Sequence, residues 1–128
     1  MIDHMGFPVA DFSRSKAFFD RALAPLGIEI VMQVSAQETG GSAHAGYGNN
    51  GKPFFWIGDG SAPAGAIHIA FEALSRSQVD AFYAAALAAG AKDNGPPGLR
   101  ADYHPNYYAA FVLDPDGNNI EAVCHHAE

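Results

Sequence analysis

Phe111-Val112-Leu113-Asp114-Pro115-Asp116-Gly117-Asn118-Asn119-Ile120-Glu121-Ala122-Val123 sets two apolar runs on either side of Asp114-Pro115-Asp116-Gly117. Proline presets φ for a turn and glycine takes φ > 0 without strain. The stretch predicts a β-hairpin whose second strand carries one carboxylate, Glu121, among apolar neighbours. A charge so placed is costly unless it is paired, solvated or bound to a metal. The rest of the chain supplies candidate partners for it.

The 128 residues suit one domain, with an apolar fraction of 48% that can fill a core. The net charge of −7 and the lack of a basic cluster argue against nucleic acid and anionic membranes as partners. No apolar run approaches the roughly 20 residues that span a bilayer, and no basic-then-apolar leader opens the sequence. Cys124 is the one cysteine. It reads as a small buried hydrophobe, and a reducing, cytoplasmic setting is the expectation.

Outward from the hairpin, the chain repeats itself. Ile2–Val9 reads as a strand. Asp11 caps a helix from Phe12 to about Leu26, with Phe12, Phe19, Leu23 and Leu26 as its stripe. Ile28–Val34 reads as a strand, His44–Tyr47 as a weak one and Pro53–Ile57 as a strong one, with a turn at Asn49-Asn50-Gly51. Gly58–Gly65 is rich in Gly, Pro and Ala and reads as a linker. Ala66–Ala73 is again a strand, and Ser75-x-x-Gln78 has capping-box spacing before a helix to about Ala89. Asn94–Gly98 reads as loop, Leu99–Pro105 as irregular or a short strand, and Tyr107–Leu113 leads into the hairpin.

At an offset of 64, His4 falls on His68, Phe7 on Phe71, Phe18 on Phe82, Leu23 on Leu87, and the cap Asp11 on the cap Ser75. This is a duplicated strand–helix–strand–strand–strand module, too long for a solenoid period. Module 1 covers residues 1–58, the linker 59–65 and module 2 66–128. Aligning Gly51 with Gly117 sets Phe55 on Glu121. His4 and His68 then occupy equivalent places on two first strands, and Glu121 lies on a last strand. Two imidazoles and a carboxylate on an uncovered sheet face would form a three-ligand site with positions open for water or substrate.

Ile2-Asp3-His4, Ala66-Ile67-His68-Ile69-Ala70-Phe71 and Asp114-Pro115-Asp116-Gly117-Asn118-Asn119-Ile120-Glu121 together resemble the vicinal oxygen chelate superfamily. That superfamily includes glyoxalase I, extradiol dioxygenases, fosfomycin-resistance thiol transferases and bleomycin-resistance proteins. The resemblance implies an α+β fold of two βαβββ modules, a curved mixed sheet with helices on its outer face. It implies His4, His68 and Glu121 as ligands of one divalent ion (Fe, Mn, Ni, Zn or Co) that chelates neighbouring oxygens of a small-molecule substrate. Lyase or isomerase, dioxygenase and thiol-transfer chemistry all follow from such chelation. Glyoxalase I uses a fourth protein ligand where Phe55 stands here, so the set resembles the dioxygenases and fosfomycin-type transferases more. The alternative is a metal-independent module that sequesters an antibiotic, as bleomycin-resistance proteins do. A homodimer is expected, with modules closed within a chain or exchanged between chains.

Further candidates surround this set. His104 is a candidate general acid or base, its ordinary pKa lying near neutrality. Arg100 is placed to hold an anionic group of substrate. Tyr103 and Tyr107 are expected at the pocket mouth, with Tyr107 and Tyr108 pointing to opposite faces of a strand. Phe55 is expected to wall the pocket, Trp56 to face the helices, and His44 and Tyr47 to touch substrate. His125 and His126 suit an incidental metal contact. No phosphate-binding glycine motif is present, so no nucleotide cofactor is indicated.

Overall fold

The computed structural model describes residues 1–61 and 65–128. Residues 62–64 of the expected linker lie outside the described residues. In chain order the elements are β1 (Met5–Val9), α1 (Phe12–Leu23) with a 3-10 turn at Ala24–Leu26, β2 (Glu29–Val34), α2 (Ala36–Thr39), β3 (His44–Asn49) and β4 (Lys52–Asp59). The second half follows with β5 (His68–Glu72), α3 (Arg76–Ala88), β6 (Lys92–Leu99), β7 (Tyr108–Leu113) and β8 (Asn119–Cys124).

The described strands form two four-stranded mixed sheets, ordered β1-β4-β3-β2 and β5-β8-β7-β6. The two orders are one pattern used twice, which is the duplication read from the sequence. In each module the first strand pairs parallel with the last and the other pairs are antiparallel. A parallel pair needs a crossover, and α1 and α3 begin those crossovers. Both helices start where their caps place them. Asp11 accepts from the Arg14 amide at 3.1 Å and Ser75 from the Gln78 amide at 3.2 Å. Gly27, at φ 75°, stops the 3-10 turn in a left-handed conformation that other residues adopt with difficulty. None of the described helices is long and apolar enough to cross a membrane.

One core runs through both modules, built from the helix-facing sides of the two sheets. Helix α1 packs on α3. The Phe55 ring lies among Phe7, Phe19, Tyr47 and Phe71, the last of these only 5.2 Å away across the module boundary. Phe55 and Tyr47 are fully buried. Tyr47 donates its hydroxyl to Asp20 Oδ1 of α1 at 2.9 Å. The expectation that these two residues line a substrate pocket is therefore corrected: they pack on the helix side, and Trp56 takes the opposite face.

The slip has a local cause. Tyr47 pairs with Phe55, but Gly48 pairs with Pro53, so a bulge at Phe54 adds one residue to β4. A one-residue shift moves every later side chain to the other face. β7 and β8 pair without such a shift.

β6 is a second difference. Asn94–Gly98 is strand, not loop. It lies at the sheet edge with register shifts around Gly95, where Pro96 and Pro97 need donate nothing to a ladder.

The hairpin turn ties these parts together. Asp114 Oδ1 accepts from the amides of Asp116 at 3.0 Å and Asn118 at 2.8 Å, and Oδ2 accepts from the Asn118 side chain at 3.2 Å. Asp116 in turn accepts from the amides of Ala10 in module 1, at 3.1 Å, and of Gly65, also at 3.1 Å. Asn118 Oδ1 accepts from the Ile67 amide at 3.3 Å, just before β5.

Phe55→Ala should lower unfolding stability by about 3–5 kcal/mol, the cost of a phenyl-sized cavity in a core. Denaturant unfolding measures it, and a loss well under 1 kcal/mol would return Phe55 to an open face.

Candidate metal centre

In the second module the strand register decides which side chains meet. Ala70 pairs with Glu121 and His68 with Asn119. Ile69 and Phe71 point into the core, so His68, Ala70 and Glu72 point to the other face. Glu121 shares that face but sits on β8, between β5 and β7, and is only 1% exposed. A carboxylate at that depth must be paired. His68 Nε2 lies 2.9 Å from its Oε1, and the Tyr107 hydroxyl donates to its Oε2. The His68 side chain is 54% exposed, so the pair reaches from the interior to solvent. The Tyr107 hydroxyl is pushed up to about 12, first by burial and then by its bond to Glu121 and that group's charge. At neutral pH it therefore remains a donor. The structure also separates the two tyrosines. Tyr107 turns to Glu121, while Tyr108 donates to Asp80 of α3 at 2.6 Å on the helix side.

His4 lies elsewhere. Its Nδ1 is 2.7 Å from Asp3 Oδ2, Lys52 binds the other oxygen of Asp3, and both side chains of the His4–Asp3 pair are 60% exposed. Among the described residues, no three of His, Cys, Asp and Glu gather as a metal site. The expected triad is thus corrected for a single chain: His68 and Glu121 meet, and His4 does not join them. The reason is the packing of the modules. They meet through α1 against α3 and Phe55 against Phe71, the faces opposite those that carry His4 and His68.

The uncovered face of the first sheet has its own organisation. His4, Gly6, His44, Lys52, Pro53 and Trp56 line an open depression of about 500 Å³. Gly6 pairs with Trp56, as Ala70 pairs with Glu121. The counterpart of Glu121 is therefore Trp56 and not Phe55, and neither residue can ligate a metal. A Cβ on Gly46 would stand 2.9 Å from Trp56 Cη2, and one on Gly58 would stand 2.5 Å from His44 Nδ1. The two rings lie on a floor of strand glycines. Gly46 and Gly58 were the sequence signal for this floor, since glycine within a strand marks a close approach.

The remaining candidates border the His68–Glu121 pair. Phe111 is the cross-strand partner of Glu121. The Arg100 guanidinium lies 5.4 Å from the centre of the Phe111 ring and donates to the Pro96 carbonyl at 2.7 Å. Arg100, Tyr103, Phe111, Asn94 and Asn119 line a smaller depression. The rings of Tyr103 and His125 stand edge-on to Tyr107 at 5.1 and 5.2 Å. His104 packs on His125, and its Nδ1 accepts from the Asn106 amide at 3.2 Å. Cys124 is free and fully buried.

An imidazole nitrogen and a carboxylate oxygen 2.9 Å apart suit a divalent first-row ion. The proton they share is what a cation would displace. Two donors alone make a weak site, so the fit calls for a third.

No curated protein matches the chain in sequence. Solved structures do. A glyoxalase/bleomycin resistance protein from Albidiferax ferrireducens T118 is 32% identical, with 95% of this chain and 96% of that one covered and a TM-score of 0.72. A mutant of the genomically encoded fosfomycin resistance protein FosX from Listeria monocytogenes, complexed with Mn(II) and 1S,2S-dihydroxypropylphosphonic acid, is 18% identical over 96% and 88%, at 0.68. A mutant of glyoxalase I from Zea mays is 17% identical over 99% of this chain and 45% of that one, at 0.70. The family model for the Glyoxalase/Bleomycin resistance protein/Dioxygenase superfamily matches residues 1–122, and the chain belongs to that superfamily.

Proposed function

We propose that the protein is a divalent-metal-dependent enzyme acting on a small molecule with neighbouring oxygens, its site assembled from two copies of the chain. The observation that carries this reading is the buried Glu121 carboxylate meeting a half-exposed His68 on an uncovered sheet face. His68 and Glu121 of one copy hold the ion, and His4 of a second copy supplies the third donor. His4 suits that role because Asp3 takes its Nδ1, leaving Nε2 for a ligand. The ion, when bound, supplies Lewis acidity toward two adjacent oxygens.

The chain's own residues then divide the remaining work. Tyr107 fixes Glu121, Arg100 stands ready for an anionic group, and Trp56 with His44 walls the side brought by the other copy. His104 is placed two rings from Glu121, through His125 and Tyr107, so it acts as acid or base only on a substrate that reaches out to it. The FosX neighbour is complexed with Mn(II) and 1S,2S-dihydroxypropylphosphonic acid, a diol with hydroxyls on neighbouring carbons, and a ligand of that chemistry suits this reading. Trp56 in the counterpart position of Glu121 speaks against chemistry that needs a fourth protein ligand. The buried Cys124 thiol is in keeping with a cytoplasmic setting.

A second reading rests on the glycine floor under Trp56 and His44. Two flat rings on an uncovered sheet suit a module that binds a planar, drug-like ligand without metal. Tight binding of such a ligand, unchanged by a chelator, would favour it.

Complementation tests the first reading. His4→Ala and Glu121→Ala should each weaken Mn(II) binding by about 10-fold or more. A co-refolded mixture of the two should regain about a quarter of the wild-type sites, because random pairing leaves one intact site in each mixed dimer. No recovery in the mixture would sink the two-copy site.

Trp56 is the only tryptophan, so its fluorescence reports on the same face. Acrylamide quenching should rise as the protein is diluted below its dimer dissociation constant. Quenching independent of concentration would mean that no second copy covers this face.

A further inference from the structure

β1 and β5 are both edge strands, and among the described residues no pairing joins them. A cleft of about 400 Å³ lies where they approach. It is shaped as a wedge. At one end Asp116 ties the modules through the amides of Ala10, just past β1, and Gly65, before β5. The cleft opens at the other end, where Asp3 and Met5 meet Phe71, Glu72 and Leu74. Its walls are apolar: Met5, Leu26, Ile28, Phe54, Ile69 and Leu74. Ile2 and Leu74 at its mouth are 79% and 68% exposed, apolar surface that a bound group would cover.

The ladder bonds fix which backbone groups face the cleft. In a parallel ladder, alternate residues of a strand bond to the neighbouring strand. The Ile67 carbonyl and the Ala73 amide both bond to β8, so Ile69 and Phe71 between them do the same. The amides and carbonyls of Ala70 and Glu72 therefore point to the free edge, where they have no partner among the described residues. The other sheet edges are blunted. β1 carries Pro8, β2 a register shift between Ile30 and Met32, and β6 Pro96 and Pro97. β5, with no proline, lysine or bulge, is left open.

We propose that this wedge binds a small neutral molecule with an apolar group and a secondary amide, of the kind an N-acylated amino-acid amide presents. Its volume lies within the roughly 300–1,000 Å³ of small-molecule sites, which favour domain interfaces, apolar walls and a few fixed polar groups. The open β5 edge holds a donor and an acceptor side by side, and an extended amide matches both while its side chain enters the apolar wall. The carboxylates of Asp3 and Glu72 line the same cleft, on a chain of net charge −7, so a ligand ending in a carboxylate is repelled. The site uses neither a metal nor a second copy of the chain, and it goes beyond the reaction proposed above.

The test titrates 15N-labelled protein with N-acetyl-leucine methylamide in the presence of a chelator and follows the amide NMR shifts. The Ala70 and Glu72 amides should move together and saturate. Their hydrogen exchange should slow by about 10-fold when the probe is at about ten times its dissociation constant. The dimethylamide of the same probe has lost its terminal N–H and should bind about 3- to 10-fold more weakly. N-acetyl-leucine, with a carboxylate in that place, should lose affinity by a like factor. Met5→Trp fills the cleft and should abolish the saturable shifts; if that variant does not fold, the three probes on wild-type protein decide alone.

No saturation, equal affinity for the three probes, or shifts confined to the Trp56 face each overturn the proposal. So do Ala70 and Glu72 amides already protected from exchange in the free protein, since a second copy would then cover the edge. With the chelator present, failure here leaves the metal-dependent reading standing, and failure of that reading leaves this one.

Discussion

The Asp114 carboxylate is 5% exposed and spends its lone pairs inside its own turn, on the amides of Asp116 and Asn118 and on the Asn118 side chain. Buried acceptors of this kind are costly to leave unmet. That requirement sets where β7 ends and β8 begins. β8 is the central strand of its pairings, so its register governs both neighbours: His68 and Ala70 on one side, Phe111 on the other. The same turn reaches the first module through Asp116 and Ala10. A change in the turn would therefore move Glu121 relative to His68 and loosen the tie between modules together.

The glyoxalase-superfamily fold was legible because its signals are local and doubled. Caps at Asp11 and Ser75 and a Gly stop after each helix survive translation from sequence to structure, whereas His4, expected on the first strand, lies just before β1 while His68 opens β5. Three features were not legible, each for a stated cause. The bulge at Phe54 inverted the parity of Phe55 and Trp56, and its one hint in Lys52–Asp59 is Pro53, which an inner strand holds only at its start or beside a bulge. Pro96 and Pro97 argued for a loop, because an edge strand that omits ladder bonds looks like no strand at all. His4 was set beside Glu121 by symmetry of sequence, but the modules pack through their helix faces, a long-range choice that no spacing encodes.

The two uncovered faces are unequal. One carries a carboxylate and an imidazole that pair with each other, bordered by Arg100 and three aromatic rings from Tyr103, Tyr107 and Phe111. The other carries flat rings on glycine and a His4–Asp3–Lys52 chain. The two halves repeat one scaffold, and a single structural position holds an aromatic ring, Trp56, in the first and a carboxylate, Glu121, in the second.

His68 and Glu121 already satisfy one another, with the buried oxygen matched to a ring nitrogen. A polypeptide arranged this way reaches its native state without waiting for a cation, unlike small domains whose folding depends on one. A cation bound there would be loaded on a finished surface, after synthesis, from whatever pool the surroundings hold. With imidazole and carboxylate donors that accept several first-row ions, the occupant would follow supply, and the same polypeptide could carry different ions as growth conditions change.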